Sequence, residues 1–280
     1  MLKTSCEIGN GSILVTDGDL KYVEFECLKK YDDSLIHCMS TRFGGVSSGE
    51  CSTLNLGFKR KDSMENILKN YNILCDSLGI GTDSLVLTNQ VHSAEVAFVD
   101  EGDKGKGFSR ESDITGVDGL ATATPGITLV TSHADCVPVF LYEPEVRAAA
   151  LIHSGWRGTL KNIASQGVQK LKAVPGFRTD RLIAIMGPSI GSCCFEVDED
   201  VYRLFYDKFK IEGLYRNTVE KKWNIDLQGI IREELLQEGL INGNIHNCDI
   251  CTKCRKDLFF SHRGDEGRTG SLAAFMQIRA

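Results

Sequence analysis

Two periodicities divide this chain. From Asp62 to Leu78 the apolar residues Met64, Ile67, Leu68, Tyr71, Leu74, Cys75 and Leu78 recur every three or four positions, the period of one helix face. Asp62 with Glu65 three residues later reads as the N-terminal cap, and Gly79 as the stop. Between residues 84 and 153 the pattern changes to short β-rich runs, SLVLT, EVAFV, ITLVTS, VPVFLY and RAAALIH. Several are continuously apolar, as in strands buried on both faces. The Gly-rich, charged segment Glu101 to Thr115 between them reads as an exposed loop.

Beyond Trp156 the spacing predicts a helix near 159–172, a strand at RLIAIM, helices near 198–208 and 226–238, and a closing strand at SLAAFMQI. Strands and helices intermix without strict alternation, and no G-x-G-x-x-G follows a strand. Both features argue against a doubly wound dinucleotide-binding fold. The expected fold is α+β: one domain over residues 1–280, a mixed β-sheet sandwich flanked by helices.

Composition narrows the function. Lys and Arg number 32 against 38 Asp and Glu, a net charge of −6, so no global cationic field gathers nucleic acid. No run approaches the roughly 18 apolar residues of a membrane span, and the start, MLKTSCEIGNGS, lacks the apolar core of a secretion signal. A cytoplasmic protein with no membrane partner is expected. Eleven cysteines, an odd count scattered through the chain, read as reduced thiols or metal ligands rather than a disulfide framework. No interface motif stands out, so a monomer is expected.

Three residues capable of binding metal lie at the ends of neighbouring strand candidates: His92, Cys136 and His153. Imidazole nitrogen and thiolate sulfur suit zinc, and three protein ligands with one open position is its catalytic arrangement. On pattern alone, two satisfied core histidines and a small buried thiol explain these residues equally well. His133 lies three before Cys136, so in a regular strand it points to the opposite face and stays outside the metal shell. At HSGWRGT a strand turns through two glycines into a helix, presenting Arg157 and free N–H groups to an anion. Alternatively, this is a tight turn with Arg157 paired at the surface. A Gly-rich element, STRFGGVSSGECSTLNLG, places Arg42 and Asn55 in a loop of ligand-holding type. Trp156 and Phe43 could stack on a flat base, whereas Phe140, Tyr142 and Phe195 read as core.

His246, Cys248, Cys251 and Cys254 have the spacing of a second metal site. No cysteine follows Cys254, so His246 or His262 would have to complete it. The alternative is packing cysteines, with Cys193 and Cys194 in a turn after GPSIG.

In this order, STRFGGVSSG, STLNLG, NQVH, HADC, HSGWRG, GPSIGSCCFEV, CTKC, FFSHR and GRTGSLA resemble the laccase-like multicopper polyphenol oxidoreductase family, now regarded as zinc-dependent purine nucleoside enzymes. The resemblance runs from about Ser40 to Ile278. It implies zinc on His92, Cys136 and His153, with copper able to replace it. The implied reactions are phosphorolysis of adenosine, guanosine, inosine and S-methyl-5′-thioadenosine to base and sugar 1-phosphate, and deamination of adenosine. Cys136, Asp135 and Arg157 would then be catalytic, with Asp135 as proton shuttle. Arg42, Asn55, Gln90 and Arg263 would bind nucleoside and phosphate.

Three other readings compete. A polyphenol oxidase needs many histidines for its coppers, and this chain has six. A Cys136–His153 nucleophilic hydrolase would suit editing of cell-wall precursors, an activity linked to some members of the resembling family. A binding protein with a purely structural zinc is the last.

Overall fold

The computed structural model describes residues 3–280. The first quarter of the chain supplies strands β1 (Thr4–Gly9), β2 (Ser12–Asp17), β3 (Leu20–Phe25) and β4 (Leu35–Ser40), with a single turn of helix, α1 (Glu26–Lys29), before β4. Helix α2 (Met64–Leu78) precedes β5 (Leu85–Leu87), β6 (Val96–Phe98), β7 (Gly119–Thr122), β8 (Thr128–His133), β9 (Val137–Glu143) and β10 (Ala148–Ser154). Then come α3 (Trp156–Leu160), α4 (Ile163–Leu171), β11 (Ile183–Met186), β12 (Glu196–Asp198) and α5 (Glu199–Phe209). The chain closes with β13 (Tyr215–Val219), β14 (Lys222–Ile225), α6 (Leu227–Gln237), β15 (Ile245–Asn247) and β16 (Leu272–Ile278).

Two mixed sheets form the body, in the orders β1-β2-β3-β4-β16-β8-β5 and β15-β11-β9-β10-β7-β6. They pack face to face, and period-2 alternation explains why their strands read as unbroken apolar runs. In β9, Phe140 and Tyr142 enter the core between the sheets, while Val137, Val139 and Leu141 face the helices outside. In β16, Leu272, Ala274 and Met276 face the other sheet, while Ala273 and Phe275 face α2. Phe25 and Phe140 meet edge to face across the sheets at 5.0 Å. Ile67, Tyr71 and Leu74 seat α2 on the first sheet; α4 and α6 cover the second. The expected α+β sandwich flanked by helices is therefore the architecture found. A small third sheet, β12-β14-β13, carries α5 at the edge, where Trp223 stacks on Tyr202 at 3.7 Å.

Local differences have local causes. The cap of α2 is Ser63, whose hydroxyl accepts the Asn66 N–H; Asp62 instead gathers Ser47, Asn55, Ser63 and Asn66 into one hydrogen-bonded knot. Gly79 closes the helix in the left-handed conformation, at φ 70°. The helix expected at 159–172 is two, broken at Asn162, which sits at φ 60°, a conformation Asn tolerates better than most residues. The segment Glu101 to Thr115 is a tied loop, with Lys106 bridging Asp103 and Asp113.

One buried charge makes stability depend on pH. Glu234 of α6 accepts the Ser165 N–H on one oxygen, while the other oxygen has no hydrogen-bond partner. Burial pushes its pKa up from 4.5 to about 7. The folded protein therefore holds this proton more tightly than the unfolded chain, so the contribution is complete below 4.5 and lost as pH rises through about 7. Glu234→Gln removes the buried charge but brings an amide N–H without an acceptor. We expect it to be more stable than the parent at pH 8 by about 2 kcal/mol, with the gap closing at acid pH, as read by urea denaturation across pH. An equal or lower stability at pH 8 would contradict this account.

Candidate metal centre and cavity

The strand ends of the second sheet and a facing rim of the first enclose a cavity of about 580 Å³, within the range that holds small ligands. Its floor is made by three elements. His153 ends β10, which pairs with β9 so that His153 lies opposite Pro138, next to the turn carrying Cys136. His92 comes from the loop after β5 and sits in the left-handed region at φ 58°. Ligand atoms of His92, Cys136 and His153 lie within 4.8 Å of one another, so the three residues could hold a metal ion.

A residue that sequence reasoning missed builds this arrangement. Asp118, fully buried just before β7, accepts the backbone N–H groups of Val91, His92 and Ser93 and the Ser93 hydroxyl, which pins the left-handed turn at His92. Its Oδ1 also lies 2.8 Å from Nδ1 of His153, leaving the other ring nitrogen to face Cys136. Burial opposes ionisation of Asp118, but these donors outweigh it and hold its pKa near 2. For His153, burial disfavours charge, yet Cys136 and Asp118 together raise it to about 9. The floor thus brings two imidazoles and a thiol, braced by a carboxylate, to one point where they could hold a metal cation. Gly155 gives it room: a Cβ there would stand 2.5 Å from Nδ1 of His92 and 3.0 Å from Sγ of Cys136.

The other candidates divide. Asp135, Gln90, Arg157 and Arg263 line the cavity. Asp135, at φ 85°, accepts the Thr252 hydroxyl at 2.6 Å and the Arg263 N–H at 2.7 Å. The Gln90 amide is spent on Ser132, donating to its carbonyl and accepting its N–H, so it braces β8. Arg157 lies over Trp156 at 4.1 Å, while the Arg263 guanidinium turns towards the Glu196 carbonyl. Arg42 and Asn55, expected to bind substrate, lie outside the cavity lining. The Arg42 guanidinium donates to the Ser52 and Lys256 carbonyls above Phe260, and fully buried Asn55 ties Gly57 to Ser271. Lys59 and Arg60 take their place in the lining, Arg60 donating to the Ser271 hydroxyl. They went unnoticed because FKRKD reads as an ordinary charged surface run.

Trp156 and Phe195 line the cavity, whereas Phe43 packs on the first core beneath Lys21. His133 lies beside His153, its ring nitrogens engaged by the Thr131 hydroxyl and the Cys136 carbonyl. Strand alternation is not what keeps it apart, because β8 ends at His133 and Cys136 follows in a turn. The proposed His246–Cys248 grouping does not form. Cys248 is buried in the core between the sheets, and Cys251 and Cys254 meet Cys193 and Cys194 instead.

Asp118→Asn should keep the fold's shape yet misplace both histidines, lowering zinc affinity about 10- to 100-fold in a chelator competition. An unchanged affinity would remove Asp118 from the account of the site.

A family model described as multi-copper polyphenol oxidoreductase laccase matches residues 36–279. The purine nucleoside phosphorylase YlmD of Geobacillus stearothermophilus is 33% identical over 244 residues, covering 86% of this chain and 89% of the relative. The adenosine deaminase RL5, from an unknown prokaryotic organism, is 34% identical over 241 residues, covering 84% and 92%. The crystal structure of YlmD from Geobacillus stearothermophilus superposes with a TM-score of 0.88 at 30% identity, covering 95% of this chain and 98% of that one. With a three-residue candidate metal socket in a ligand-sized cavity, and a model match over most of its length, the chain belongs to the multi-copper polyphenol oxidoreductase laccase family.

Proposed function

We propose that this protein is a zinc-dependent purine nucleoside phosphorylase that also deaminates adenosine. The observation that carries the reading is one cavity lined both by a candidate metal socket and by four cationic side chains. Its floor is the socket of His92, Cys136 and His153 backed by Asp118, and its walls carry Lys59, Arg60, Arg157 and Arg263. The names of the relatives, purine nucleoside phosphorylase and adenosine deaminase, support the same reading.

The donor set suits zinc, and the Gly155 cradle leaves the space between His92 and Cys136 open. Bound there, zinc supplies Lewis acidity and, for deamination, activation of water at the purine ring. The remaining work belongs to the chain. In phosphorolysis a phosphate oxygen bonds to C1′ of the ribose as the bond to the base nitrogen breaks; the base leaves with the electron pair and takes a proton. The four cationic side chains hold the phosphate and offset the charge it brings. Trp156 and Phe195 offer flat faces to the base. Asp135, fixed by Thr252 and the Arg263 N–H, presents its remaining lone pairs to a sugar hydroxyl or a purine N–H.

A second reading has its own observation: Cys136, His153 and Asp118 also line up as thiol, imidazole and carboxylate, the order of a nucleophilic hydrolase. Removing the metal separates the two, since it abolishes the nucleoside reactions and frees the thiol.

The test is a chromatographic assay of zinc-loaded protein with adenosine, with and without phosphate. We expect phosphate-dependent adenine and ribose 1-phosphate, some inosine without phosphate, and no turnover by Cys136→Ala. Arg60→Ala should raise the KM for phosphate about tenfold, the cost of one charge-assisted contact. Neither adenine nor inosine from the zinc-loaded protein would overturn the proposal, and hydrolysis of an acyl substrate by metal-free protein would put the second reading in its place.

A further inference from the structure

Two turns on one side of the cavity each present a pair of cysteines to the other. In the first, the Cys194 and Phe195 N–H groups both return to the Gly191 carbonyl, which swings Cys193 and Cys194 to the same side. In the second, the Arg255 N–H returns to the Cys251 carbonyl, closing C-T-K-C so that Cys251 and Cys254 face inward. A short ladder holds the turns in register: Ser189 pairs with Cys251, its N–H donating to the Ile250 carbonyl and its own carbonyl accepting the Thr252 N–H.

Sγ of Cys254 lies 3.7 Å from that of Cys193 and 3.5 Å from that of Cys194, and all four sulfurs fall within 4.8 Å of one another. Four thiolates around one zinc, at the usual Zn–S length, stand about 3.8 Å apart. The cysteines of an iron–sulfur cluster bind different irons and need a wider spread than this. Gly191 is packed to suit, since a Cβ there would meet Cys193 Sγ and the Cys251 Cβ, each at 3.3 Å. The exposed Lys253, within the C-T-K-C turn, is a cation beside what would be a dianionic centre.

We propose that Cys193, Cys194, Cys251 and Cys254 bind a second zinc ion, a closed tetrathiolate site distinct from the socket at His92, Cys136 and His153. Four protein ligands leave no open position, so its role is structural. It clamps the wall of the cavity. Ile190 and Phe195 of the first turn line the cavity, the Ile190 N–H donates to the Asp135 carbonyl, and Thr252 of the second turn donates to the Asp135 carboxylate. The site does not depend on which reaction the cavity performs.

The test is elemental analysis of protein purified under reducing conditions. We expect about two equivalents of zinc per chain, about one in Cys254→Ser, and about one in His153→Ala, with the losses independent of each other. Cobalt-loaded His153→Ala should keep strong sulfur-to-cobalt charge-transfer absorption, and Cys254→Ser should lose most of it. Because a cysteine variant can fail to fold, the parent protein is also alkylated natively and mapped by mass spectrometry. Zinc should slow labelling of these four cysteines at least about tenfold relative to chelator-treated protein. One zinc per chain, iron in place of zinc, a disulfide within the cluster, or equal labelling with and without zinc would each overturn the assignment.

Discussion

The buried carboxylate of Asp118 is the constraint on which the floor of the cavity depends. Three successive backbone N–H groups, a hydroxyl and an imidazole converge on it, and together they fix a turn that the chain would not otherwise adopt at His92. A buried anion is costly unless its lone pairs are filled, and here they are. Because its pKa falls from 3.8 to about 2, the contribution is fully present above 3.8 and lost only as pH falls through about 2. The same atoms aim His153 at Cys136, so folding and site geometry share one hydrogen-bonded centre. This is how a carboxylate outside the candidate metal-binding set decides where the atoms of that set stand.

What the sequence showed depended on whether the cause was local. Buried strands such as β9 and β10 announce themselves because both faces are packed, and α2 does so through its stripe. The opening meander β1 to β4 did not: β1 is an edge strand exposed over most of its length, so neither alternation nor an apolar run marks it. The metal-type residues were legible as strand-end histidines and a cysteine. Asp118 was not, since G-V-D-G-L reads as a turn until the fold brings His153 beside it. Arg42 and Asn55 show the converse: a Gly-rich loop suits ligand binding, and here their polar atoms join the loop to Lys256 and Ser271.

The family's description speaks of several coppers, and the placement of the histidines bears on it. Of six, His37 accepts the Phe25 N–H deep in the sandwich, and burial drives its pKa down to about 3. His133 has both nitrogens engaged, His246 lies on the edge strand β15, and His262 sits at the exposed rim of the cavity. Only His92 and His153 converge on a common point, and their third partner is a thiol. That is a donor set for one metal. Of the other four imidazoles only His133 comes near this set, its ring centroid 5.2 Å from that of His153, and both its nitrogens are engaged elsewhere.

Charge is distributed unevenly between the chain and its cavity. The chain is acidic as a whole, yet Lys59, Arg60, Arg157 and Arg263 gather in the lining of the cavity that also holds His92, Cys136 and His153. A divalent cation held by His92, Cys136 and His153 would add positive charge beside these side chains. Metal binding would in this way strengthen the pull on an incoming anion, coupling the two without any movement of the chain.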